Sequence, residues 1–149
     1  MVVDEGYDKV WMVESDTIPP LDALEKLLAV DAPVVSGLYA LRHGSNVPNV
    51  WRWGETLNAL GGVMSWKDVE RDWGKVVRTT GGCQGCVVAD RSAIEGFSFI
   101  LGKEQSPDVP WMEYCFHSGI KMMADLSVIC GHKEPNGNIL DPRDFVNIN

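Results

Sequence analysis

The sequence predicts an α/β domain built on a mixed, mainly parallel sheet with short flanking helices. Three observations predict this. Strand-like and helix-like segments alternate from the start: Tyr7 to Val13, Pro20 to Val30, then Pro33 to Tyr39. A strand, helix, strand run of that length fits a right-handed crossover between parallel strands. Apolar residues make up 45% of the 149, enough for one domain with a sizeable core and too many for a disordered chain. No repeat, low-complexity tract or internal linker divides the chain.

The elements follow in order. Val10-Trp-Met-Val reads as a buried strand, and Pro19-Pro20 ends it and opens a helix. From Pro20 to Val30, apolar positions 21, 24, 27 and 28 alternate with charges, the pattern of a short amphipathic helix with proline near its first turn. Pro33 to Tyr39 is a second strand. Residues 40–72 hold Trp51, Trp53 and Trp66 among Gly and Asn, and predict short antiparallel strands and loops, with a hairpin near Asn58 to Gly62. Lys75 to Thr80 and Gln84 to Ala89 read as strands. Asp90 to Glu95 reads as a short helix capped by its first acid, and Phe97 to Leu101 as strand or helix. Asp108 to Gly119 is a helix with a capping acid, a proline in its first turn and a terminal glycine. Ile120 to Met123 and Leu126 to Cys130 are extended, and the tail after Pro135 is irregular.

Charge excludes one class of function. Thirteen Lys and Arg stand against 21 Asp and Glu, a net charge of -8, whereas a nucleic-acid backbone binder needs a basic face. No apolar run is long enough to span a membrane, and the N-terminus lacks the basic-then-apolar pattern of a secretory signal, so a cytoplasmic setting is expected.

The chemistry concentrates where the first strand ends. Glu14 and Asp16, at i and i+2, can be turned toward one point. Two carboxylates there repel and lose water, and a divalent cation with hard oxygen ligands resolves both costs. The alternative role for Asp16 is to cap a turn. Cys83-Gln-Gly-Cys86 has the spacing of a redox motif or half a zinc site. With no second such pair, two small core residues in a Gly-rich strand are the commoner use.

Together these residues resemble the catalytic half of a GT-A fold (Rossmann-like) nucleotide-sugar glycosyltransferase, most like family 2 and its viral or phage relatives. Glu14-Ser-Asp16 resembles the family's acid-x-acid motif, with Glu in place of the usual first Asp. Thr17 to Leu24 resembles its continuation into a helix, and Pro33 to Tyr39 its next strand. Gly85-Cys-Val-Val-Ala-Asp-Arg-Ser-Ala-Ile resembles the acceptor-side strand and following helix. Asp108 stands where the catalytic carboxylate precedes its helix, although the acidic pair expected there is Pro107-Asp108. His132 resembles the late histidine that completes the metal site.

The resemblance implies a sugar transfer from a nucleoside-diphosphate sugar to an acceptor hydroxyl. Glu14, Asp16 and His132 would hold Mn or Mg, with Glu14 and Asp16 serving the donor diphosphate. Asp108 would be the general base, with Glu104 and Glu113 in reserve. Trp51, Trp53 and Trp111 would line an acceptor groove, since aromatic faces stack on sugar rings. Arg42 and Arg78 could meet phosphate or an acidic acceptor, with surface solvation the commoner role. His43 and His117 read as ordinary surface residues.

Family members carry nucleotide-binding strands before this region, and only nine residues precede Val10 here. The expectation is a catalytic-half fragment or minimal relative, active or not, with an exposed sheet edge covered by homo-oligomerisation. A non-catalytic carbohydrate- or partner-binding domain of the same fold is the alternative.

Overall fold

The computed structural model describes residues 5–42, 46–55, 62–98 and 107–148. Nine strands and three α-helices follow in chain order among them. They are β1 (Lys9–Val13), β2 (Thr17–Ile18), α1 (Ala23–Ala29), β3 (Val34–Leu38), β4 (Val50–Arg52), α2 (Trp66–Arg71), β5 (Val76–Gly82), β6 (Cys86–Asp90), α3 (Asp108–His117), β7 (Met122–Ile129), β8 (Gly131–Lys133) and β9 (Ile139–Leu140). Short 3-10 turns occupy Arg91–Ala93 and Pro142–Phe145.

The fold is α/β on a mixed six-stranded sheet, in the order β1-β6-β3-β7-β5-β4. The sheet is not mainly parallel: only β3 and β7 pair in parallel, and every other neighbour is antiparallel. β1 and β3 do run in the same direction, as the strand, helix, strand pattern predicts. They are not neighbours, because β6 lies antiparallel between them, Met12 opposite Val87 and Val35 opposite Val88. A local pattern fixes the direction of two strands, whereas the insertion of a third depends on a segment fifty residues away.

The core forms around β3, whose five residues are all buried. Ala23 and Leu27 of α1 pack with Val34, Val35, Val87 and Val88, and Trp111, Met112 and Cys115 of α3 join the same cluster. A second cluster gathers Leu38, Val50, Val69, Ala124 and Leu126. Burying side chains of this size from both sides stabilises the sheet by roughly 1.5–3 kcal/mol each.

Several expectations shift. α1 starts at Ala23, with Pro19 and Pro20 outside it and Asp22 at its N-cap position. The stretch expected to hold only strands and loops contains α2, fixed by a capping box in which Ser65 and Asp68 each bond the other's backbone. Residues 120–130 carry one strand, β7, rather than two extended pieces. The tail adds β9, paired with β8. Asp108 is the first residue of α3 and not its cap; Pro107 precedes the helix, and no side-chain cap bond forms there. The hairpin expected at 58–62 and most of the segment at 97–101 lie outside the described residues, as do His43 and Glu104.

Among the described residues no helix is long and apolar enough to cross a membrane.

Candidate functional site

The second, three-stranded sheet β2-β8-β9 builds the site. β1 ends at Val13, and the chain bends, held by the Glu14 N–H on Gly85 O (3.1 Å) and the Thr17 N–H on Glu14 O (3.1 Å). β2 then pairs with β8, setting Thr17 opposite His132. The Lys133 N–H donates to Asp16 O at 2.7 Å and locks the acidic turn against the histidine strand. Thus residues more than a hundred positions apart meet through backbone pairing.

His132 is only 5% exposed. Its Nδ1 lies 2.6 Å from Ala40 O, an atom that can only accept, so Nδ1 carries the proton and donates. Its Nε2 is buried with no hydrogen-bond partner among the described residues, 3.8 Å from Asp16 Oδ1. A neutral imidazole would therefore aim a lone pair at a carboxylate, an arrangement that asks for a cation or a proton between them. The Tyr39 ring meets the imidazole edge-on, centroids 5.2 Å apart.

One cation is already at the acids. The Arg42 guanidinium pairs with Asp16 Oδ2 and donates through Nη1 to Lys133 O at 3.1 Å. Rather than standing in solvent or open to phosphate, Arg42 partly neutralises the acidic turn. Glu14 keeps its proton to higher pH than its ordinary 4.5. Partial loss of water is the main cause, followed by the negative charges of Asp108 and Asp16, while Arg42 pulls the other way. Asp108 lies in the same field. Its Oδ1 accepts the Gln84 N–H at 3.1 Å, which ties the first turn of α3 to the Cys83-Gln84-Gly85 turn between β5 and β6.

Of the predicted residues, Glu14 and Asp108 thus meet at that turn, Asp16 lies against His132 on the small sheet, and Glu14 feels the charge of both Asp108 and Asp16. Several more were missed. Tyr39 accepts the Gly85 N–H on its hydroxyl at 3.1 Å. A Cβ on Gly85 would fall 2.6 Å from the Tyr39 hydroxyl and 2.8 Å from Thr17 Oγ1, so only glycine permits this approach. Asn49, fully buried, accepts the Tyr39 N–H and donates to Gly37 O. Thr17 Oγ1 and Gln84 Nε2 are buried without partners among the described residues, like His132 Nε2. Ser36 Oγ, Arg42 Nε and Trp51 Nε1 share that state, and of the six only Thr17 and His132 are direct cross-strand partners. Gln84 and Gly85 lie inside the Cys-x-x-Cys segment, Thr17 follows the acidic pair and Tyr39 ends a predicted strand, whereas Asn49 stood near no sequence signal.

The tryptophans separate. Trp51 and Trp111 are buried in the core, and the Trp111 indole donates to Ala93 O at 2.8 Å, so the predicted groove role is corrected to packing for both. Trp53 is exposed, with the Arg78 guanidinium 3.5 Å above its ring and Phe116 edge-on at 6.0 Å. Glu113 is exposed on α3, and His117 ends that helix.

All four cysteines are buried and unpaired. Burial, with help from Asp108, pushes the Cys83 thiol far up, so it stays protonated and unreactive. The Cys86 and Cys130 thiols lie within hydrogen-bond reach of each other, with no disulfide between them.

No three His, Cys, Asp or Glu side chains among the described residues surround one point closely enough to hold a metal ion. Asp16 and His132 form a two-donor pair, and two donors about 2.1 Å from one ion stand roughly 3–4 Å apart. Their 3.8 Å separation fits that range. The Nδ1–carbonyl bond is the support a ligating histidine uses.

No protein-family model matches the chain, and no curated protein matches it. Among solved structures, A197 from STIV is similar in fold. Its TM-score is 0.59 at 16% identity, over 99% of this chain and 73% of that one.

Proposed function

We propose that the chain is a metal-dependent glycosyltransferase, or the catalytic part of one, moving a sugar from a nucleoside-diphosphate sugar to an acceptor hydroxyl. The observation that carries the reading is the meeting of Asp16 with a buried, unpartnered His132 Nε2, beside Glu14 and Asp108. Asp16 and His132 would hold a Mn or Mg ion, with Glu14 adding negative charge. When bound, the ion neutralises the diphosphate that departs. Asp108 takes the acceptor hydroxyl's proton while that oxygen bonds to the anomeric carbon, and the nucleoside diphosphate leaves with the electron pair of the broken bond. The Gln84 N–H holds one oxygen of Asp108 in place.

Asp108→Asn tests the base. The expected result is a fall in kcat of about 10²–10⁴ with donor binding unchanged. Full transfer by the variant would remove Asp108 from the mechanism.

A second reading, a non-catalytic carbohydrate- or partner-binding domain, is favoured by one observation: the Arg42 guanidinium pairs with Asp16 and takes up part of its charge. Exposed Trp53, with Arg78 over its ring, would then be the sugar platform. Oligosaccharide binding lost in Trp53→Ala, with no melting shift from Mn and UDP, would select it.

A further inference from the structure

We infer that β1 is the joint of a symmetric dimer, pairing antiparallel with β1 of a second copy so that two six-stranded sheets become one. The inference concerns an edge of the sheet and holds whichever reading of the site is right.

β1 has one strand neighbour, β6, among the described residues. The backbone bonds that bracket it fix which of its groups are spent. The Glu14 N–H donates to Gly85 O, and Asp8 O accepts the Arg91 N–H. In an antiparallel ladder the residues that exchange bonds alternate, so Asp8, Val10, Met12 and Glu14 face β6. Lys9, Trp11 and Val13 therefore turn their N–H and C=O groups away from the sheet. Among the described residues no strand pairs with those groups, and they form an edge five residues long.

This edge lacks the usual protection. It has no proline and no bulge, and its register with β6 is unbroken. Its one charge, Lys9, is tied to Asp90 within the chain. The opposite edge differs: β4 has three residues, a register shift against β5, and a bridge from Trp51 to Val63 on its outer side. Trp11 and Val13 are 38% and 40% exposed, which is high for large apolar groups in a strand.

The occupant follows from the strand itself. A two-fold axis at Trp11 sets Lys9 opposite Val13 of the second copy and Trp11 opposite Trp11. The outward N–H and C=O groups of residues 9, 11 and 13 all pair, two indoles meet across the joint, and the like charges that face each other, Asp8 and Glu14, fall beyond the ends of the strand. The chain carries a net charge of -8, so most of its surface repels a second copy, whereas this strand is internally neutralised.

Sedimentation equilibrium on the full chain is expected to give twice 16.5 kDa. Val13→Lys places lysine opposite Lys9 at both ends of the joint and is expected to weaken association at least about tenfold. Val76→Lys, at an equally exposed apolar site on β5, is expected to leave it unchanged. Oxidised Trp11→Cys is expected to give a covalent dimer, because directly opposed residues have Cα atoms about 5.5 Å apart, within disulfide reach. This readout does not depend on the lysine variants folding. A 16.5 kDa species up to about 1 mM, where weak association still registers, would overturn the inference. So would a dimer that resists Val13→Lys and does not cross-link through position 11.

Discussion

Glu14 shows how a site strains the chain that builds it. Its carboxyl is pushed above 4.5 by lost water and by Asp108 and Asp16. Between 4.5 and the raised folded value, the folded chain binds more protons than the unfolded one, so stability falls as pH rises through that window. Above the raised value the destabilisation is complete. Glu14→Gln should therefore melt higher than the parent at about pH 7, with the gap closing toward about pH 4. A melting series over that range checks this; an equal or lower melting point at neutral pH would mean that the crowding is not felt. Gly85 makes the complementary case. A methyl group there would press on Tyr39 and Thr17 Oγ1, and Gly85→Ala should cost roughly 1–3 kcal/mol in urea unfolding through overpacking. Neither effect follows from composition: Glu14 stands out in the sequence by its strand-exit position, but its neighbours Gly85 and Asp108 come from other elements.

At the scale of elements, legibility tracked how local the cause was. β1, α1, β3 and α3 were readable because their apolar period and flanking prolines or glycines are within reach of one another. α2 was overlooked although Ser65-Trp-Lys-Asp68 spells its cap, because tryptophans and glycines drew attention to loops. That cap is testable. Hydrogen bonds from the Ser65 backbone and side chain, then the Arg52 pair, lower Asp68 from 3.8 to about 2. A lowered carboxyl stabilises the fold above 3.8 and loses that contribution as pH falls toward about 2. Ser65→Ala should cost about 1 kcal/mol at neutral pH, and less below about pH 3, in denaturant titrations at both. The small sheet β2-β8-β9 was invisible for the opposite reason. Two-residue strands carry no period, and they exist only because β7 delivers Gly131 to Lys133 beside Thr17.

For the whole molecule, the sheet order decides what meets. β6 enters between β1 and β3, and the turn leading into it brings Gln84 and Gly85 to the end of β1, where Asp108 joins them. The sequence located the acids and the histidine by position along the chain. It could not locate Arg42, Tyr39 or Asn49, whose roles arise from pairing across the fold. Nor could it sort Trp51 and Trp111, now in the core, from Trp53, because burial is a property of the assembled layers. The same assembly leaves β1 as an open edge, a consequence of topology.

The central claim is that Asp16 and His132 close on one divalent cation. Titrating Mn into the parent, Asp16→Asn and His132→Ala, and following free Mn by paramagnetic resonance, tests it most directly. One saturable site in the parent, lost or weakened about tenfold or more in each variant, is the predicted result. No saturable binding in the parent, or equal binding in all three, would contradict it.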